Sequence, residues 1–233
     1  MLSMSEICDV VSMIKTYSMI KDMVDTIVIR ESCVRSFSIE WESGERHISI
    51  YWHSQVNLFF LIHDANIKLI IDVCDEHCEV TCSAILVSSN NIVSSLDLAV
   101  TLKASNTKAD IYSLALLGDN AKASILGGIT IDPGTVKVQW YLTEENLLLG
   151  KKIYVKTLPM LDVRSNDVKA SHGATISRLD DQKIFYLTAK WISKHQAEQL
   201  MIQAYIKKAL EYAKIAESEW YIKHIFSLLE GRP

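Results

Sequence analysis

The chain has 233 residues, 49% hydrophobic and 22% charged, with a formal net charge of -4, which suits one globular domain with an appendage. Its Lys and Arg residues are scattered, so there is no basic footprint of the kind a nucleic-acid partner requires. The opening MLSMSEICDVVSMIK carries Glu6 and Asp9 with no basic segment before a long apolar run, and the longest apolar stretch, VNLFFLI, falls far short of the roughly 18 residues of a membrane span, so a cytoplasmic protein is expected.

Residues 6 to 24 place Ile7, Val10, Val11, Ile14, Tyr17, Met23 and Val24 close to a three-and-four spacing, predicting an amphipathic helix that caps the β-rich region after it, with the appendage covering 1–27. From about residue 28 to 177 the texture is one of short Val, Ile, Ser and Thr-rich runs such as HISIYWHS, NIKLIIDVC and CEVTCSAILVSS. Turn signals separate them: Ser43-Gly44, Asp64-Ala65-Asn66, Asn90-Asn91, Gly118-Asp119-Asn120, Gly127-Gly128 and Asp132-Pro133-Gly134. Irregular recurrence of turn and strand suits a β-solenoid or a sandwich. Beyond residue 178 the pattern turns helical. DDQKIFYLTAK reads as a short helix over about 179–189, with Asp180 and Asp181 at its positive end. Ser193 with Gln196 is a capping-box pattern opening a helix from 194 to about 215 that carries Ala197, Leu200, Met201, Ala204, Tyr205 and Leu210. ESEWYIKHIFSLLEG then predicts a last helix.

Five cysteines, an odd number in a chain without a secretory leader, read as reduced thiols. Cys74, His77, Cys78 and Cys82 crowd into nine residues of CDEHCEVTC, yet an extended segment would set Cys78 and Cys82 roughly 13 Å apart, too far for one ion. The spacing predicts a turn at Asp75 to His77 and a strand whose Cys78, Val80, Cys82, Ala84 and Leu86 point inward. Cys74, beside the turn, is then the thiol best placed to react. No G-x-S-x-G elbow, phosphate loop or H-E-x-x-H occurs, so no enzyme class is indicated. A carbohydrate-active solenoid would want clustered carboxylates in a cleft and secretion, and neither is apparent. His172, between Ser171 and Gly173, fits a turn residue making one hydrogen bond as well as it fits a ligand.

LPMLDVRSNDVKASHGATISRLDDQKIFYLTAKWISKHQAEQLMIQAY closely resembles the carboxy-terminal signature of the SufB/SufD family, scaffold components of the SUF iron-sulfur cluster assembly machinery. ALLGDNAKASILGGITIDPGTVK and NLLLG extend the resemblance towards residue 95. The resemblance implies a mainly β fold, a right-handed parallel β-helix with a carboxy-terminal helical region, to which the amino-terminal helix read from the spacing is added. It also implies pairing of SufB-type and SufD-type subunits through their β-helices, or a homodimer, with the helical tail received by a SufC-type ABC ATPase. Such a chain is a scaffold and not an enzyme.

The SHGAT segment looks more SufD-like than SufB-like, and His172 falls on the histidine shared by both types. The resemblance makes it the expected ligand of iron or a nascent iron-sulfur cluster, imidazole being able to replace a thiolate on iron. Three departures accompany it. Ala170 stands where SufD proteins often carry Cys, and Gly173 where SufB carries a carboxylate. Just before NLLLG, where SufB-type sequences have an interface cysteine, this chain offers Glu144 or Glu145. Glu144 and the Cys74 thiol join His172 as the residues expected to meet iron, with the remaining ligands supplied by a partner. The alternative is a structural interaction subunit without cluster chemistry. With only the helix 6 to 24 ahead of its β region, the chain reads as a core-only version of the family.

Overall fold

The structure, a computed structural model, describes residues 24–40, 43–216 and 218–230. In chain order its strands are β1 (Val24–Ile29), β2 (Cys33–Glu40), β3 (Gly44–Ile50), β4 (Gln55–His63), β5 (Asn66–Val73), β6 (Glu79–Ser88), β7 (Val93–Leu102), β8 (Lys108–Leu117), β9 (Lys122–Ile131), β10 (Val136–Leu148), β11 (Tyr154–Val163) and β12 (Asp167–Arg178). The odd strands build one six-stranded sheet and the even strands another, each in unbroken order from the first coil to the last. Neighbours are parallel throughout. The expected parallel β-solenoid is therefore present, and a sandwich is not.

Corner side chains stitch each coil to the next. Ser32 Oγ accepts from the backbone N–H of Gln55, 23 residues on, at 2.9 Å, and Asp119 Oδ1 accepts from that of Lys151, 32 residues on, at 2.6 Å, so the coil lengthens towards the carboxy terminus. Asn90, Asn91, Asn106 and Asn120 take positive φ at the corners, a conformation their short polar side chains tolerate. Gly127-Gly128, read from the sequence as a turn, lies instead inside β9. The two glycines serve close packing rather than chain reversal. A Cβ on Gly127 would stand 2.3 Å from Glu144 Oε1, while Met160 Cε packs across Gly128.

One irregularity interrupts the last ladder. Val136 faces Asp167, but Val138 faces Val168, so Lys137, at φ 56°, is the extra residue of a β-bulge. Its backbone N–H donates to Asp167 Oδ2 at 3.3 Å.

The two sheets differ in what covers them. The outer faces of β4, β6 and β8 carry Phe59, Leu61, Ile85, Val87, Tyr112 and Leu114, which pack under Ile206, Ala209, Leu210, Tyr221 and Ile225 of the tail. These strands are buried on both sides and read as near-continuous apolar runs. That is why VNLFFLI contains no alternation. Among the described residues no helix lies over the odd sheet, and β7 alternates strictly between lumen and outer face.

The tail comprises α1 (Asp181–Thr188), α2 (Lys194–Tyr212) and α3 (Ser218–Leu229). Asp180 caps α1 by accepting from the backbone N–H groups of Gln182 and Lys183, and Ser193 with Gln196 forms the anticipated capping box on α2. The buried face of α2 is Ala197, Ile206, Ala209 and Leu210, whereas Leu200, placed on the apolar stripe by spacing, is 48% exposed. No helix among the described residues is long and apolar enough to cross a membrane. The helix expected over 6 to 24 lies outside the described residues except for Val24, which opens β1.

Candidate functional site

Residues of the even sheet stack in columns along the lumen. One column runs Leu58, Cys82, Ile111, Leu142 and His172, aliphatic or sulfur-bearing and buried until its last member. Val168 and Ala170, at the same parity as His172 on β12, pack against the core, which turns the imidazole towards the mouth of the lumen. His172 is thus a strand residue and not a turn residue. It is exposed because β12 is the final strand of its sheet.

The neighbouring column runs Phe60, Ala84, Ser113, Glu144 and Ala174. Glu144 is 1% exposed, and its Oε2 accepts a hydrogen bond from Thr157 Oγ1 of β11 at 2.8 Å. Burial pushes its carboxyl above the usual carboxylate range, while the Thr157 hydrogen bond and the nearness of His172 partly offset that rise. Glu144, Thr157 and His172, from three different strands, therefore meet at the open end.

Glu145 points the other way. Its Oε2 accepts from the Tyr112 hydroxyl at 2.6 Å and its Oε1 from Lys208 Nζ of α2 at 2.6 Å, with the ammonium 4.9 Å from the Tyr112 ring centroid. Burial, then the bond to Glu145, drives the Tyr112 phenol well above its ordinary range. Of the two acids that share the place before NLLLG, Glu144 faces the lumen and Glu145 clasps the tail. Asn146, buried, donates from Nδ2 to the Thr175 carbonyl of β12 at 3.2 Å, tying the two final strands of this sheet together.

Cys74 lies elsewhere. It follows β5, three strand spacings or roughly 14 Å from β11 within the odd sheet, with its thiol 3.7 Å from the Asp72 carbonyl. Cys78 and Cys82 are lumen residues, as their alternation predicted. Burial raises both thiols, that of Cys82 to about 12, which keeps them protonated and inert. Among the described residues no group of three or more His, Cys, Asp and Glu side chains is assembled for a metal ion. Sequence reasoning missed Thr157 and Gly127. Their signal is that each replaces an aliphatic residue in a lumen column of the odd sheet: Ile67, Leu96 and Ile125 lead to Thr157, and Leu69 and Leu98 lead to Gly127.

The end of the solenoid also exposes apolar surface. Tyr154, Met160 and Leu161 of β11 and Ile176 of β12 are exposed on strands whose outer edges have no strand partner among the described residues. On the tail, Phe185 and Tyr186 of α1 are exposed, and Trp191 is 98% exposed.

Residues 18–205 match the family described as SUF system FeS cluster assembly, SufBD core domain. The chain is 38% identical over 96 residues to the iron-sulfur cluster assembly protein SufD of Escherichia coli (strain K12), a match covering 41% of this chain and 23% of that protein. It is 27% identical over 112 residues to an iron-sulfur cluster assembly SufBD family protein of a Synechocystis species, covering 48% of this chain and 25% of the relative. A SufBD family protein of Porphyra purpurea is 28% identical over 102 residues, 44% of this chain and 21% of its own length. The chain thus spans about a quarter of the length of these relatives.

Proposed function

The chain belongs to the SufBD core family of the SUF iron-sulfur cluster assembly system, and from that premise we propose that it is a non-catalytic scaffold subunit whose His172 and Glu144 meet iron or a nascent iron-sulfur cluster at the open end of the solenoid. The observation that carries this reading is the change in the lumen. A stack that is largely apolar through the inner coils ends in a buried carboxylate, held by the Thr157 hydroxyl, and an exposed imidazole, and carboxylate and imidazole are hard and borderline donors that suit iron. Two protein donors leave the coordination incomplete, so a SufB-type subunit or a second copy of this chain supplies the rest. The edges of β11 and β12, which pair with no further strand among the described residues, and their apolar side chains are the surface for that pairing. A SufC-type ATPase docks on the exposed aromatic side chains of α1 and the following turn, and the assembly works in the cytoplasm.

A structural interaction subunit without cluster chemistry is the second reading, favoured by the absence, among the described residues, of a three-residue metal-ligating group. Anaerobic co-expression with the host's SufB-like and SufC-like proteins separates the two. Wild type and His172→Ala are expected to give complexes of the same composition, with bound iron and sulfide falling in the variant. An unchanged iron content would select the interaction subunit, and failure to form any complex would overturn both.

A further inference from the structure

We propose that Thr157 and Gly127 are positioning residues for Glu144, together holding its carboxylate at the mouth of the lumen beside His172. The inference rests on the reading of Glu144 as part of the iron-binding site, and it adds two residues from the opposite sheet that the family signature around His172 does not include.

A carboxylate buried in a largely apolar lumen is unfavourable unless its oxygens are engaged and space is made for them. Here both conditions are met by departures in adjacent columns of the odd sheet. Thr157 follows Ile125 in register and places a hydroxyl 2.8 Å from Glu144 Oε2. Gly127 follows Leu98 in register, and the other oxygen, Oε1, occupies the space its side chain would fill. A Cβ there would lie 2.3 Å from Oε1 and 2.5 Å from Leu142 Cδ2, so even alanine must displace both the carboxylate and the leucine. Gly127 has no positive φ and sits within a regular strand, so backbone conformation does not account for it. The Thr157 hydroxyl fixes one oxygen, and the glycine lets the second lie flat against β9.

The test uses the full chain with Co2+ as a visible-absorbing stand-in for ferrous iron, and with the carboxyl carbon-13 signal of Glu144 as a readout that needs no metal. Thr157→Val removes only the hydroxyl and is expected to move the Glu144 signal and weaken Co2+ binding about tenfold. Thr157→Ser restores the hydroxyl and is expected to return both towards wild type. Gly127→Ala is expected to weaken binding at least as much. The proposal is overturned if Val leaves the Glu144 signal unchanged, or if Ser fails to restore what Val removes. Should the signal respond to Thr157 while Co2+ affinity responds to neither Thr157 nor His172, positioning stands and the reading of the site as metal-binding falls.

Discussion

The inner coils and the last coil share strand geometry and differ in what they set in the lumen. Ile111 and His172 belong to one column, two strands apart in the even sheet. Ile111 is closed in by coils on both sides, and a side chain there contributes through area removed from water and dense packing. Among the described residues His172 has a coil on one side only. The same position in the repeat is a core residue in one place and a functional residue in the other, and the difference lies in whether another coil comes next.

Truncating the two members of that column gives the largest contrast. Ile111→Ala is expected to cost about 2–5 kcal/mol in chemical denaturation, and His172→Ala to stay within about 0.5 kcal/mol while lowering iron loading. Equal stability losses would mean that the mouth is closed in this protein as it exists in solution.

The next contrast lies between the lumen and the tail. Glu145→Ala leaves the buried Tyr112 hydroxyl without its acceptor and is expected to cost about 1–3 kcal/mol. Lys208→Met removes only a half-exposed ammonium, at most about 1 kcal/mol. If the two losses were equal, the clasp on α2 would be an ion pair first and a hydrogen bond second.

The smallest effects concern pH, and the two regions carry opposite signs. Asp72 is partly buried, which raises its carboxyl, but hydrogen bonds from Lys103 at 2.7 Å and His47 at 2.8 Å outweigh burial and hold it below the ordinary value. Its contribution is present above the unfolded carboxylate value of about 4 and fades as pH falls through the depressed folded value. Glu144 is raised on balance, so its contribution is full below the unfolded value and fades as pH rises through the folded one. Denaturation midpoints across the acid to neutral range should therefore drop at neutral pH for Asp72→Asn and rise for Glu144→Gln. A shift of the same sign in both would refute the contrast.

Legibility in the sequence divides along the same line. The inward set from Cys78 to Leu86, the Asp180 cap and the Ser193 box depend on neighbours within a few residues, and each is present as read. The choice between Glu144 and Glu145 depends on which face of β10 looks inward, which neighbours in sequence do not determine because adjacent acids alternate on any strand. The glycine pair read as a turn was missed for the same reason, since the carboxylate that Gly127 accommodates is 17 residues away, Glu144 counted from Gly127. On α2, Leu200 and Leu210 both satisfy a helical apolar pattern. Only contact with β6 and β8 selects the face that includes Leu210.

The bulge at Lys137 is an adjustment of phase. With it, His172 stands opposite Leu142, a buried lumen residue. Were the pairing of Val136 with Asp167 continued without the extra residue, His172 would fall opposite Tyr141, whose side chain belongs to the outer face. Strands read two residues to a repeat, so a single insertion exchanges inside for outside. The presence of the imidazole at the mouth therefore depends on a residue count made 35 positions upstream, at Lys137 counted back from His172. Lengthening or shortening that bulge would silence the histidine while leaving it in place in the sequence.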